Sequence, residues 1–323
     1  MRLFLYEYAS LPRAEPVPAS IQMEGHAMLR ALSEDAACCA GMRATGIDAP
    51  QPLTLALEKA ALQQLAQEAD GCIIIAPEFD GILEQRCRWV EEAGGTLLGP
   101  SAKAVHLVSD KWRLAQHWHE RNVPTPATWL EAPAHLPARA YLHKHRFGAG
   151  SLHIGFGQPN VATAMAAAPT PWVYQAFHPG TSASVSLLIG PDGWCLPLLP
   201  AEQCISADGQ FRYEGGRLPL PSAWHGRAIR LAQAAVAGIA GLKGYVGVDM
   251  VLGEAADGSA DAAIEINPRL TTSYLGLRQL LMGSLLSYWL RVLQGERPDG
   301  LSWRQGSMHF QPHGAYSMIN PPF

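Results

Sequence analysis

Long apolar runs are missing from this 323-residue chain. The most apolar helical segment, Leu231 to Leu242, is too short and too rich in small residues to span a bilayer. The opening MRLFLYEYAS lacks the apolar core and small-residue cleavage site of a secretory leader, so a cytoplasmic protein is expected. The six cysteines (Cys38, Cys39, Cys72, Cys87, Cys195, Cys204) show no CxxC spacing. Most stand in apolar runs, where a thiol behaves as a small hydrophobe, so neither a disulfide framework nor a zinc site is expected. Charged residues make up only 16% and the net charge is -4, without a basic cluster. That excludes a nucleic-acid surface, which depends on massed Lys and Arg. Lysine is scarcest: Lys59, Lys103, Lys111, Lys144 and Lys243 are the five among 24 basic residues, so where each stands is informative. With 48% apolar residues the chain can still build substantial cores in two or three domains.

The most informative stretch runs from Gly244 to Tyr274. Val246, Val248, Met250 and Leu252 alternate with other residues, Ile264 and Ile266 do so again, and GEAADGSAD lies between, which predicts a β-hairpin. If the apolar set faces a core, Gly247, Asp249 and Val251 face away from it, as do Ala263, Glu265 and Asn267. A hairpin symmetric about Asp257 sets Asp249 opposite Glu265. Directly opposed like charges are destabilising, and a hard divalent cation taking carboxylate and amide oxygens is the simplest reason for them. Asn267 adds a neutral oxygen, and Arg269 follows as a planar fork suited to phosphate or carboxylate. The pattern points to a magnesium-nucleotide site, against the plainer alternative of a solvated outer face.

The first hundred residues alternate strands and helices. A short strand at Leu3 to Leu5, helices at Ile21 to Leu32 and Leu55 to Ala69, and the continuous apolar run Cys72 to Ala76 describe a small α/β layer with a parallel sheet. Glu7 and Glu78 follow its strands, where such sheets bind ligands, and are candidates for holding an ammonium group; a solvated loop carboxylate is the plainer reading of either. Helices are expected from Ser101 to Val108 and from Asp110 to Arg121, with Asp110 as N-cap. Lys111 in that first turn is poorly placed against the helix dipole unless it answers an anion. A proline-rich linker leads to a strand, Tyr141 to His145, which carries Lys144 and runs into RFGAGSLHIGFG, a glycine-rich flap whose amides can approach a polyphosphate. It is not a Walker loop, and the HxH of His143 and His145 is read as structural. WVYQAF and SVSLLI predict neighbouring strands with a hinge at Gln175 to His178, and Trp194 to Leu199 continues the sheet. Glu202 to Pro221 reads as a long polar loop, Trp224 to Leu242 and Leu277 to Leu293 as helices, and the end as a proline-bounded tail.

The order of Lys111, Lys144, the flap, the hinge, Asp249 and E-I-N-P-R (Glu265 to Arg269) resembles the ATP-grasp carboxylate-amine ligases. LFLYEYAS, IIIAPE, SDK, FxYxGG and INPRLTTSYLG are most similar to the tyramine-glutamate ligases of methanofuran biosynthesis. The resemblance implies α/β lobes in an ATP-grasp fold behind a Rossmann-like N-terminal domain: residues 1–100, a small lobe 101–172, a large lobe 173–310 and a tail 311–323. It implies ATP, and Mg2+ for which Mn2+ could substitute, held by Asp249, Glu265 and Asn267. Lys111, Lys144, Gly148, Gly150, Ser151, Gln175, Ala176 and Phe177 would bind the nucleotide, with Arg269 and Lys144 catalytic. Glu7, Glu78, Arg269, Thr271, Thr272, Ser273 and Tyr274 would meet the substrates. The family's hinge often carries QE where this chain has Gln175 and Ala176, so an acidic side chain there has no counterpart. The expected partners are a small-molecule amino acid and amine, with no nucleic acid or membrane and with a homodimer admitted. Competing readings are a ligase for other amino acids or peptides, a kinase-like phosphotransferase, and a nucleotide-binding regulator without turnover.

Overall fold

Strand β1 (Arg2–Glu7) lies between β2 (Arg43–Thr45) and β3 (Gly71–Ile75) in a three-stranded parallel sheet. The computed structural model describes residues 1–13, 17–148, 154–159 and 172–319. Alternation along β1 and β3 explains their unbroken apolar sequence. Phe4, Tyr6, Cys72 and Ile74 pack under α2 (Leu55–Glu68) and α3 (Ile82–Glu92). Leu3, Leu5, Ile73 and Ile75 face α1 (Ala19–Cys38) and a core shared with the rest of the molecule. Both faces are thus covered, as parallel strands require.

Two capped helices follow. Ser101 accepts the Ala104 amide at the start of α4 (Ala102–Ser109), and Asp110 accepts the amides of Trp112 and Arg113 at the start of α5 (Lys111–Glu120). A four-stranded antiparallel sheet comes next, in the order β4 (Thr128–Trp129), β7 (Trp172–Ala176), β5 (Tyr141–His145), β6 (Gly155–Phe156).

The larger sheet holds β8 (Thr181–Ile189), β9 (Cys195–Pro197), β10 (Ala201–Ile205), β11 (Tyr213–Leu218), β12 (Gly244–Leu252), β13 (Ala262–Asn267), β14 (Ser307–Phe310) and β15 (Tyr316–Ile319). Its order is β13-β12-β8-β10-β11-β14-β15, with β9 paired to β8. Val246, Val248, Met250 and Leu252 face a core built with α4, α5 and α6 (Ser222–Val236). On the opposite face, Tyr245 joins the core of α7 (Ser273–Leu280) and α8 (Leu285–Leu293), while Gly247 and Asp249 floor a cleft. No helix among the described residues is long and apolar enough to cross a membrane.

Several expectations need correction. Glu202 to Pro221 is not a loop: β10 and β11 form a hairpin, whose polar residues reflect a strand face turned to the cleft. The helix expected to reach Leu242 stops at Val236, beyond which Gly238 and Gly241 adopt φ of +74° and +78°. The single helix expected from Leu277 to Leu293 is two, because Leu281 is extended and Gly283 has φ +124°, after which Ser284 caps the second by accepting the Ser287 amide. Part of the expected tail, Tyr316–Ile319, is strand β15 on the sheet edge.

Candidate active site

The hairpin β12–β13 has the symmetric register where it matters. Gly247 stands opposite Asn267 and Asp249 opposite Glu265. Beyond Asp249 a bulge shifts the pairing, so Met250 meets Ala263, and Ile264 rather than Ala263 lines the cleft. Ala263, expected on the open face, is fully buried.

The Asp249 carboxylate accepts from Gln203 Nε2 at 3.0 Å and from Asn267 Nδ2 at 3.0 Å. Burial and then the charge of Glu265 push its pKa up to about 7. Burial would raise the Glu265 carboxyl as well, but Lys111 and Lys144 outweigh it and hold that group below its usual range. Within the pair Asp249 is thus the more basic carboxyl.

Lys111 explains its place in the first turn of α5: its Nζ lies 3.2 Å from Glu265 Oε2 and donates to the Gly148 carbonyl at 2.7 Å. Lys144, buried on β5, donates to Gln175 Oε1 at 2.8 Å, and burial lowers its pKa to about 8 while Glu265 opposes the fall. Asp110 does more than cap a helix. It also accepts both ends of the Arg146 fork at 2.7 Å, tying the segment after β5 to α5. His143 and His145 both pack edge-on against Trp172.

Lys144, Gln203, Asp249, Glu265 and Asn267 line a cleft of about 520 Å³ between the two antiparallel sheets, and Lys111 adjoins it through its contact with Glu265. At the hinge, Gln175, Ala176 and Phe177 line it, but the amides of Ala176 and Phe177 already donate to the Ala127 and Ala140 carbonyls. The rings of Phe156, Phe177 and Phe211 cluster 5.1 to 6.3 Å apart, the last two lining the cleft. Gly150 and Ser151 lie outside the described residues.

At the far end, Arg269 follows β13 and its fork donates to both oxygens of Glu78, at 2.8 and 3.2 Å. Glu78 is thereby committed to Arg269 instead of standing free for an ammonium. Thr271, Thr272 and Ser273 line the same end, with Thr272 Oγ1 donating to Tyr213 Oη at 3.0 Å. Two expected substrate residues do not reach the cleft. Tyr274 is fully buried and donates to Asp35, because it lies on the face of α7 packed against α1. Glu7 is buried under α1 against Gly25, accepting from the Ala9 amide and the Ser10 hydroxyl, beside a separate cavity of about 670 Å³.

Glu24 and Gln203 line the cleft without having been singled out from sequence, and Tyr213, the tyrosine of FxYxGG, lines it without having been given a role. The weak alternation of β10 gave no sign of Gln203. Glu24 sits in a helix whose face toward the cleft is set only by tertiary packing.

The donor set suits a hard divalent ion. Two carboxylates meet in register with the Asn267 amide beside them, its nitrogen turned to Asp249, and a cation between the carboxylates would offset the burial and the repulsion that raise Asp249. Among the described residues no cluster of three or more His, Cys, Asp and Glu forms a metal cage. Mg2+ rarely uses one, keeping waters and phosphate oxygens in its shell instead.

A model of the ATP-grasp domain matches residues 108–273, and a model of the pre ATP-grasp 3 domain matches residues 54–105. The chain is 28% identical over 212 residues to the tyramine--L-glutamate ligase of Methanocaldococcus fervens and 29% over 213 residues to that of Methanocaldococcus jannaschii. These alignments take in 66% of this chain, which spans 62% and 60% of the relatives' own lengths. An ATP-grasp superfamily protein from Archaeoglobus fulgidus has a similar structure, with TM-score 0.74 and 26% identity over 96% of this chain and 92% of that one. Biotin carboxylase from Campylobacter jejuni, 15% identical, shares the fold at TM-score 0.70 over 95% of this chain and 74% of its own. With the ATP-grasp match extending over more than half its length, and the opposed carboxylates, spaced lysines and Arg269 gathered in one cleft, the chain belongs to the ATP-grasp family.

Proposed function

We propose that this chain is an ATP-dependent carboxylate-amine ligase, with L-glutamate and tyramine as its acid and amine. The observation that carries this reading is the arrangement in one cleft of Asp249 opposite Glu265, Lys111 and Lys144 beside them, and Arg269 beyond. That set suits phosphate, with the Arg269 guanidinium, its fork held by Glu78, near where a carboxylate would meet the γ-phosphate. The substrate pair is taken from what the relatives' names state.

In the proposed reaction a carboxylate oxygen attacks the γ-phosphorus of ATP and the bond to the β-phosphate oxygen breaks, leaving ADP and an acyl phosphate. The amine nitrogen then attacks the acyl carbon, inorganic phosphate departs with the C–O electron pair, and the nitrogen gives up a proton. Positioning and charge neutralisation dominate such phosphoryl transfer. Asp249, Glu265 and Asn267 would hold Mg2+, which when bound neutralises phosphate charge. Lys111 and Lys144 oppose the same charge from the small lobe, and Arg269, steadied by Glu78, faces the transferring phosphoryl group. Residues 101–172 and 173–310 act as the two lobes around ATP, with residues 1–100 closing the substrate end, in an enzyme placed in the cytoplasm.

The test is ADP release with MgATP and both compounds, with each alone, and with a panel of amino acids and amines. Release that needs an acid and an amine together, with the amide found by mass spectrometry, supports the reading. Release from acid alone would favour a phosphotransferase, and ATP binding without turnover anywhere would favour a regulator.

A further inference from the structure

Helix α1 presents a stripe at helical spacing, Glu24, Met28, Ala31 and Asp35, toward the large lobe. Asp35 accepts from the Tyr274 hydroxyl and from the Arg278 guanidinium at 2.6 and 2.9 Å. Met28 and Ala31 are buried in the core they share with Tyr274, Leu277 and Phe310. These contacts fix the helix in rotation and height. Glu24 is therefore carried by packing, one turn before Met28, into the cleft where the stripe runs past its partner helix.

The other charges in the cleft are engaged. Lys144 is on Gln175, Glu265 on Lys111, Asp249 on Gln203 and Asn267, and Arg269 on Glu78. Even Glu202 has Arg217 at 3.9 Å. Among the described residues Glu24 has no hydrogen bond or ion pair, and the fork of the cation that most affects it, Arg269, is already taken. A half-buried carboxylate without a partner is unfavourable, and burial raises its pKa. Beside it, Tyr213 accepts from Thr272, which leaves the Tyr213 hydroxyl proton for a ligand acceptor. A helix locked at its far end thus delivers one unpaired negative charge to the substrate end.

We propose that Glu24 is the specificity residue that binds the ammonium group of a substrate, an inference that rests on the ligase reading. A single carboxylate with a hydroxyl nearby is too poor a set for a second divalent ion but is complete for an ammonium, whose N–H groups donate to it. The ammonium could belong to the amine substrate or be the α-ammonium of an amino acid that supplies the carboxylate.

The decisive experiment compares wild type with Glu24→Gln in three assays: L-glutamate with tyramine, L-glutamate with hydroxylamine, and glutarate with hydroxylamine. Hydroxylamine is small and mostly neutral at neutral pH, so it traps the acyl phosphate as a hydroxamate without needing a carboxylate to hold it. Because Glu24 makes no hydrogen bond or ion pair among the described residues, the variant should keep its melting temperature and its stabilisation by MgATP. A rise of about 10- to 100-fold in KM for tyramine, with hydroxamate formation unchanged, assigns Glu24 to the amine. An equal rise in KM for L-glutamate in the hydroxamate assay, with glutarate used equally by both proteins, assigns it to the α-ammonium. Either result upholds the proposal, and Glu24→Asp should recover part of the loss.

Unchanged KM values in Glu24→Gln would overturn it. So would a fall in kcat alone, which is what a residue that merely positions Arg269 would give. A wild type that forms neither amide nor hydroxamate with any acid would remove the ligase reading itself, and with it the need for an ammonium site.

Discussion

Among the described residues Lys144 is a buried ammonium whose one hydrogen-bond partner, Gln175, is neutral. It is 7% exposed, donates to Gln175 at 2.8 Å, and burial lowers its pKa from 10.5 to about 8 although Glu265 pulls the other way. A depression of that size disfavours the charged form by about 3 kcal/mol. The folded protein releases this proton near pH 8 and the unfolded chain near 10.5. Between the two the unfolded chain binds more protons, so stability rises with pH across that window, and below pH 8 the full penalty stands. Lys144→Met keeps the apolar stem and removes the charge, at a cost of about 1 kcal/mol for the orphaned Gln175 oxygen. The variant should therefore be more stable than wild type at pH 7, by about 2 kcal/mol or roughly 4 °C in Tm, and the advantage should vanish as pH approaches 10.5. Melting curves without ligand at pH about 7 and about 9.5 decide the matter. A variant less stable at neutral pH, or a difference that does not change with pH, would refute the reasoning. MgATP adds a second readout: phosphates are the charge that makes this ammonium worth burying, so the nucleotide should stabilise wild type by more than it stabilises the variant.

Four further outcomes follow from the same geometry. Glu265→Gln removes half of the opposed pair and should abolish Mg2+-dependent ADP release; normal release would sink the metal assignment. Arg269→Lys keeps the charge but loses the fork that grips Glu78, so turnover should fall steeply with ATP affinity nearly intact, and lost ATP affinity would mean that Arg269 mainly holds the nucleotide. Glu78→Gln strands a largely buried guanidinium and should lower stability by about 2 to 4 kcal/mol, measured by denaturant melts; an unchanged midpoint would show that cleft water solvates Arg269 adequately. Gly244 has φ +75°, and a Cβ there would strike the Leu98 carbonyl that accepts the Trp289 indole, so Gly244→Ala should lose several kcal/mol, and wild-type melting would refute that.

The hairpin was readable because period-two alternation and a polar turn fix both register and face. Asp249 and Glu265 meet as the sequence pattern predicts. The two lysines could be singled out because the chain has so few, and Asp110 because capping is a local event. Reading failed wherever a residue's direction is decided by something distant. The bulge that turns Ile264 into the cleft and Ala263 out of it leaves no mark in composition. Leu281 and Leu285 keep helical spacing across a break that Gly283 makes, so periodicity alone joined two helices. Glu202 to Ile205 looked like loop because its polar side faces a cleft, and a strand facing a polar site has the composition of a loop.

The same argument explains why the first hundred residues, legible as an α/β layer, were not legible as part of the site. Glu78 and Arg269 are 191 positions apart, and nothing local to either announces the other. Glu7 ends one parallel strand and Glu78 follows another, yet one turns beneath α1 and the other crosses to Arg269. The distinction is made by Gly25, whose missing Cβ lets α1 close over Glu7, and by the Asp35 contacts that set the same helix against Tyr274 and Arg278. Once those contacts fix α1, the carboxylate that reaches the cleft is neither strand-end candidate but Glu24, a surface-looking residue in an unremarkable helix. Phosphate chemistry can thus be read from the two lobes alone. The place of Glu24 cannot, because it depends on how α1 packs against Tyr274 and Arg278.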